Sequence, residues 1–180
     1  MPCVRKEVEI MGIVFSSGTI FAIDPGNIES GYVICEHDGK EIQKLIDFGK
    51  IENEELLDRI WRGGTQDIGW AIEMIASYGM PVGKEVFDTC VWIGRFLEAM
   101  DNEAKYIYRK EEKMDLCQSM KANDSTIRQA LVDRFAPGER NYGKGTKDQP
   151  GFFYGFKADV WSAMAVATTY FDKYVKRIDF

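Results

Sequence analysis

The sequence predicts an α/β domain in which helices cover the faces of a mixed five-stranded sheet. Three observations carry this. The chain opens with three apolar runs, TIFAID, GYVICE and EIQKLIDFGKI, separated by turn residues. After residue 52, stretches with helical spacing alternate with short apolar strands. The chain then closes on a long Ala-rich helix, and strands followed by alternating helices and strands pack as a sheet with helices on its faces.

Residues 1–18 precede the first clear element and read as an N-terminal extension, an arm or an added strand; residues 19–180 form the single domain. TIFAID (19–24) is a strand broken by Pro25-Gly26. Strands at 31–36 and 42–51 flank the turn His37-Asp38-Gly39-Lys40, and an Asp-Gly turn between apolar runs predicts a hairpin. The first three strands therefore form an antiparallel meander. ENEELLDRIWR (52–62) is a helix with an acidic start, stopped by Gly63-Gly64. DIGWAIEMIA (67–76) is the fourth strand. A long helix spans 84–100, with Val86, Phe87, Cys90, Ile93, Gly94 and Leu97 as its apolar stripe. KYIYRK (105–110) is the fifth strand, followed by helices at about 111–120 and 124–135. The segment 136–155 is a long Gly-, Pro- and charge-rich loop, and loops of that length are functional or disordered.

At 180 residues the chain suffices for one sizeable core. No apolar run approaches the roughly 20 residues needed to cross a bilayer. The charged N-terminus does not resemble a signal peptide, so a cytoplasmic protein is expected. Four cysteines lie far apart, in neither a zinc nor a disulfide pattern, and read as reduced, mostly buried thiols. The net charge of −6 argues against a simple DNA-binding protein. A mean charge does not exclude a local basic face beside clustered acids.

Three acids stand where an apolar element meets a break: Asp24 ends the first strand, Glu73 lies within the fourth, and Asp159 opens the terminal helix. A carboxylate in such surroundings is costly unless it is paired or bound to a cation, and Mg²⁺ favours oxygen ligands. Each also has a plainer reading. Asp24 suits a turn, Glu73 an ion pair, and Asp159 a helix cap. The metal reading rests on the three together.

TIFAIDPGNIESGYVI resembles the first hairpin of RuvC-like Holliday junction resolvases, an RNase H-like family whose first strand ends in Asp-Pro-Gly. Glu73 stands where that family has its second acid. YRKEEKMDLCQSMKANDSTIRQALVDRF resembles its strand, lysine-bearing helix and following helix, and GFKADVWSAMAVAT its terminal acidic helix. The matches run in order over roughly residues 19–172, with phage-encoded resolvases the most similar variety. One departure is plain: the family's terminal helix commonly bears a second aspartate one turn on, where this chain has Ser162. Asp88 and Asp148 are acids that could make up the difference.

The resemblance implies an RNase H-like fold and hydrolysis of DNA phosphodiesters with two Mg²⁺ or Mn²⁺ ions, leaving 5′-phosphate and 3′-hydroxyl ends. It carries over Asp24, Glu73 and Asp159 as catalytic metal ligands, Asp24 bridging both ions. Lys113 matches the helix lysine that contacts the scissile phosphate; as part of RKEEK it equally balances Glu111 and Glu112 on a solvated face. Lys121, Arg128, Arg134, Arg140, Lys144 and Lys147 are the expected DNA contacts. Over 134–147 there are four basic residues and one acid. A four-way junction is two-fold symmetric, so a homodimer is expected. Trp92, Phe96 and Met100 on the long helix are its candidate interface, or are buried within one protomer.

Two further readings stay open: a catalytically weak branched-DNA-binding relative, and an RNase H-type enzyme acting on RNA–DNA hybrids. His37-Asp38 has no second His to complete a metal site. Gly143-Lys144-Gly145-Thr146 lacks the spacing and preceding strand of a phosphate loop.

Overall fold

The computed structural model describes residues 8–10, 13–15, 18–63, 68–77, 79 and 81–176. β1 (Val8–Ile10) and β2 (Ile13–Phe15) pair antiparallel as a separate two-stranded sheet, so the N-terminal extension carries strands of its own. The main sheet contains β3 (Thr19–Asp24), β4 (Glu29–His37), β5 (Ile42–Glu52), β6 (Ile68–Met74) and β7 (Lys105–Tyr108), in the spatial order β5-β4-β3-β6-β7. β3, β4 and β5 are the predicted antiparallel meander. β6 joins β3, and β7 joins β6, in parallel. Parallel neighbours need crossovers, here made through α1 (Asn53–Gly63) and α2 (Lys84–Ala99). α3 (Arg109–Cys117), α4 (Asp124–Phe135) and α5 (Ala158–Tyr170) complete the chain, with a final π turn at Phe171–Val175.

Alternation along the strands sorts the core into two layers. Phe21, Ile23, Tyr32, Ile34, Trp70 and Ile72 face α1 and α2. Ile20, Ala22, Val33, Cys35, Ala71 and Ile107 face α5 and α4. α5 is buried almost all round, from Val160 to Thr169, as expected of a helix in the middle of its layer. Its small Ala163, Ala165 and Ala167 let it lie close to the sheet. Among the described residues no helix is long and apolar enough to cross a membrane.

The long helix departs from its predicted facing. α2 buries Thr89, Ile93, Phe96 and Ala99, with Met100 just beyond. Of the two readings of Phe96 and Met100, interface or interior, burial within the protomer holds, and Trp92 packs against Phe96 with Arg95 over its ring. Phe87 and Val91, the former assigned to the core stripe, are 61% and 63% exposed. Period alone does not set which of two weakly apolar stripes turns inward; the bulk of Phe96 and Met100 decides it. The thiols also differ from expectation: of the described cysteines only Cys35 is buried, Cys117 is partly buried and Cys90 is exposed.

The segment 136–155 is ordered by aromatic anchoring, not left as a free loop. Phe153 and Phe156 are buried and pack edge-on to one another and against Trp161, while Phe152 stacks on Phe135 at 5.1 Å. A bridge between Gly145 and Pro150 closes its tip.

Candidate active site

Register places the first two acids together. Ile23 pairs with Ile72 across the parallel β3–β6 ladder, so Asp24 and Glu73 are the next residues at the same ends of neighbouring strands. Both continue the face carrying Ala22 and Ala71, toward α5. The two carboxyls are neighbours, placed to share a hydrogen bond when one of them is protonated. Burial, then the charge of Glu73, pushes the Asp24 carboxyl far above the ordinary carboxylate range. Burial also raises Glu73, opposed by the Asp24 hydrogen bond and by Arg109.

Asp159 reaches the same place because of a glycine. Gly31 on β4 pairs directly with Asp24. A Cβ there would lie 2.5 Å from the Asp159 carbonyl oxygen and 3.0 Å from its Cβ. Only a residue without a side chain admits the first turn of α5 at this distance. Asp24 feels the Asp159 charge, and the two line one groove with Asn27, Glu29 and Lys50. Lys50 Nζ holds the Asp159 carboxylate at 2.7 Å and Glu29 at 3.5 Å.

The turn after Asp24 is clamped. Gly26 N–H donates to Ser30 Oγ, Ser30 Oγ–H donates to Asn53 Oδ1 at 2.6 Å, and Asn53 Nδ2 donates back to the Gly26 carbonyl at 2.9 Å. Ser30 and Asn53 are 1% exposed, so this network fixes the backbone that aims Asp24.

α3 adds residues that sequence reasoning passed over. Glu112 is wholly buried, correcting the solvated-face reading of RKEEK. Its Oε2 accepts from Arg109 at 2.5 Å, whereas its Oε1 has no partner among the described residues. Burial, then the Glu73 charge, raises its carboxyl well above normal, and its charge in turn reaches Asp24. Arg109 also binds Asp124 at the start of α4. The missed signal was the i, i+3 spacing of Arg109 and Glu112 directly after a strand. Glu111 serves otherwise: it caps α3 by accepting from the Tyr108 N–H and pairs with Lys173.

The other expected residues are dispersed. Lys113 is half-buried on α3, one turn beyond Arg109. Arg128 lines a second groove with Arg109, Asp124, Asp159 and Ser162, and lies over Trp161 and Tyr142. Lys121, Arg140 and Lys147 are exposed, and Lys144 is partly so. Arg134 is committed elsewhere, bridging Glu41 at 2.7 Å and Asp172 at 2.5 Å. Asp88 pairs with Lys84 on α2, and Asp148 is exposed in the 136–155 segment.

The donor set is all carboxylate oxygen, the kind a hard divalent cation favours, and Glu112 Oε1 is a buried acceptor with no partner among the described residues. In the present geometry no three described acid, His or Cys side chains close on a single point. Asp159 leans to Lys50 and Glu112 to Arg109, so basic side chains hold acids that an ion would otherwise draw in.

Sheet order and helix placement together give a mixed five-stranded α/β fold of the RuvC kind. The chain is similar to two solved structures of Thermus thermophilus RuvC. One shares 15% identity at a TM-score of 0.56, covering 84% of this chain and 92% of that one. The other, RuvC in complex with a Holliday junction substrate, shares 13% at 0.58 with the same coverage. No protein-family model matches the chain, and neither does any curated protein.

Proposed function

We propose that this chain is a divalent-metal-dependent endonuclease of the RNase H-like superfamily that resolves four-way junctions or related branched DNA. The observation that carries the reading is that Asp24 and Glu73 stand at the same ends of neighbouring strands, with Asp159 of α5 brought beside Asp24. A bound junction in a structure of similar fold supports branched DNA as substrate. Asp24, Glu73 and Asp159 would hold Mg²⁺ or Mn²⁺, two ions in the full site. Bound there, the metal supplies an activated water for in-line attack and stabilises the leaving 3′ oxygen.

The chain's own groups supply the rest. The Ser30–Asn53 clamp holds Asp24 in place. Lys113 would contact the scissile phosphate, while Arg128, Lys121, Arg140, Lys144 and Lys147 would track the DNA backbone. A homodimer would present two sites to a two-fold junction. Phe87 and Val91, one turn apart and exposed on α2, would serve it as an apolar patch. A phage-type resolvase working in the cytoplasm fits this reading.

The test is a Mg²⁺ titration with a labelled four-way junction beside an RNA–DNA hybrid of equal length. Metal-dependent cuts in the junction, lost in Asp24→Asn, are the expected result. A junction shifted but uncut at every metal concentration overturns the enzyme reading in favour of a binding protein. Preferential cutting of the hybrid overturns the substrate.

A further inference from the structure

We propose that Glu112 is a fourth protein carboxylate for the divalent metal at this site, supplied by α3 in place of the acid that α5 lacks at Ser162. The proposal deepens the metal-dependent reading above and rests on it. Glu112 is 0% exposed, and its two oxygens are treated differently. Oε2 is satisfied by Arg109 within the same helix. Oε1 has no partner among the described residues.

An intrahelical ion pair accounts for the first oxygen and not the second. Leaving a buried acceptor unmade costs about 1–3 kcal/mol, and more for a charged group. An apolar residue of similar volume would fill the same space without that cost. The charge also sits where a purely structural acid is least favoured, close enough to Asp24 and Glu73 to repel both. Arg109 does not offset this fully, because its other arm is on Asp124. A divalent ion between these carboxylates would relieve the repulsion and occupy the open lone pairs at once. In the groove that Arg109 and Asp124 also line, Ser162 stands beside Asp159 with a neutral hydroxyl, so α5 brings one carboxylate there.

The test is Mn²⁺ binding to the metal-free full chain without DNA, by calorimetry and by the Mn²⁺ paramagnetic signal. Glu112→Gln should weaken one Mn²⁺ site roughly 10- to 100-fold, the range found when groups supporting a metal site are removed. Its metal-free melting temperature should stay level or rise. Adding Ser162→Asp to Glu112→Gln should recover part of the affinity. Wild-type binding in Glu112→Gln, with binding lost in Asp24→Asn, overturns the role of Glu112 and leaves the nuclease site standing. If the wild-type chain takes up no Mn²⁺, both readings fall. No recovery with Ser162→Asp overturns the idea that Glu112 stands in for that position. Should Glu112→Gln not fold, Glu112→Asp keeps the charge and withdraws it by one methylene. Undiminished Mn²⁺ affinity in that variant overturns the proposal equally.

Discussion

Gly31→Ala probes the contact that brings Asp159 to Asp24. The added methyl would meet the Asp159 carbonyl oxygen at 2.5 Å and its carbonyl carbon at 2.9 Å, both backbone atoms that no rotamer change moves aside. Ordinary contact begins at 3.4 Å, so the start of α5 must retreat by about 0.9 Å. Overpacking of this kind costs about 1–3 kcal/mol, and a cost of about 2 kcal/mol lowers Tm by about 4–8 °C in a chain of this size. The same retreat draws Asp159 from Asp24, and a displacement near 1 Å in a reacting constellation costs about 100-fold in rate. Thermal unfolding by circular dichroism, Mn²⁺ calorimetry and single-turnover junction cleavage should all respond. A Gly31→Ala protein with wild-type Tm, metal affinity and cleavage would show that α5 does not rest on β4 at this point.

The remaining predictions concern charge. Asp24 holds its proton more tightly folded than unfolded, so the stability it contributes is complete below the ordinary carboxylate range and is lost as pH rises toward about 9. Tm of the metal-free protein should therefore fall from about pH 5 to pH 8.5, and the gain on adding Mn²⁺ should grow over that interval; a flat profile in both states contradicts this. Lys50→Met frees Asp159 from its ammonium partner and should tighten Mn²⁺ binding several-fold. Both groups are well exposed, so Tm should move by no more than about 1 kcal/mol implies, and unchanged Mn²⁺ affinity counts against competition by Lys50. Arg134→Met leaves Glu41, Asp172 and the nearby Asp115 facing one another. Tm should fall by about 4–8 °C, from about 2 kcal/mol, while junction affinity of the folded protein stays level. Weaker DNA binding at unchanged Tm would restore Arg134 to the DNA-contacting set. Lys144→Ala with Lys147→Ala should flatten the dependence of junction affinity on salt, the logarithmic slope falling by about one for each phosphate no longer neutralised.

Patterns of period and turn carried the fold from sequence because they are local. The meander around His37–Lys40, the helix after Glu52 and the strand ending near Glu73 each announce themselves within a dozen residues. Asp24, Glu73 and Asp159 were legible for a related reason: each is an acid set into an apolar element, a local anomaly. What escaped depends on partners distant in the chain. Glu112 looks like a surface acid in RKEEK until α3 is laid against α4 and α5. Arg134 looks like a free cation until Glu41, 93 positions earlier, meets it. Ser30 and Asn53 are ordinary polar residues until they close over Gly26. The inward stripe of α2 was misread for the same reason, since its facing is set by the cavity it fills.

Basic side chains of the chain itself substitute for an external cation among these acids. Lys50 holds Asp159, and Arg109 spans Glu112 and Asp124. Each substitute relieves repulsion among acids that the fold has forced together, and none relieves all of it, because Glu112 Oε1 keeps an unused acceptor. The substitutes are also unequal. Lys50 and Asp159 are exposed enough for their pair to be screened and readily exchanged, whereas the Arg109–Glu112 pair is not. Under the metal reading, Asp159 would be the acid most readily released from its basic partner, and Glu112 the one that Arg109 keeps in place. That difference makes Asp159 the responsive part of the site and Glu112 its fixed wall.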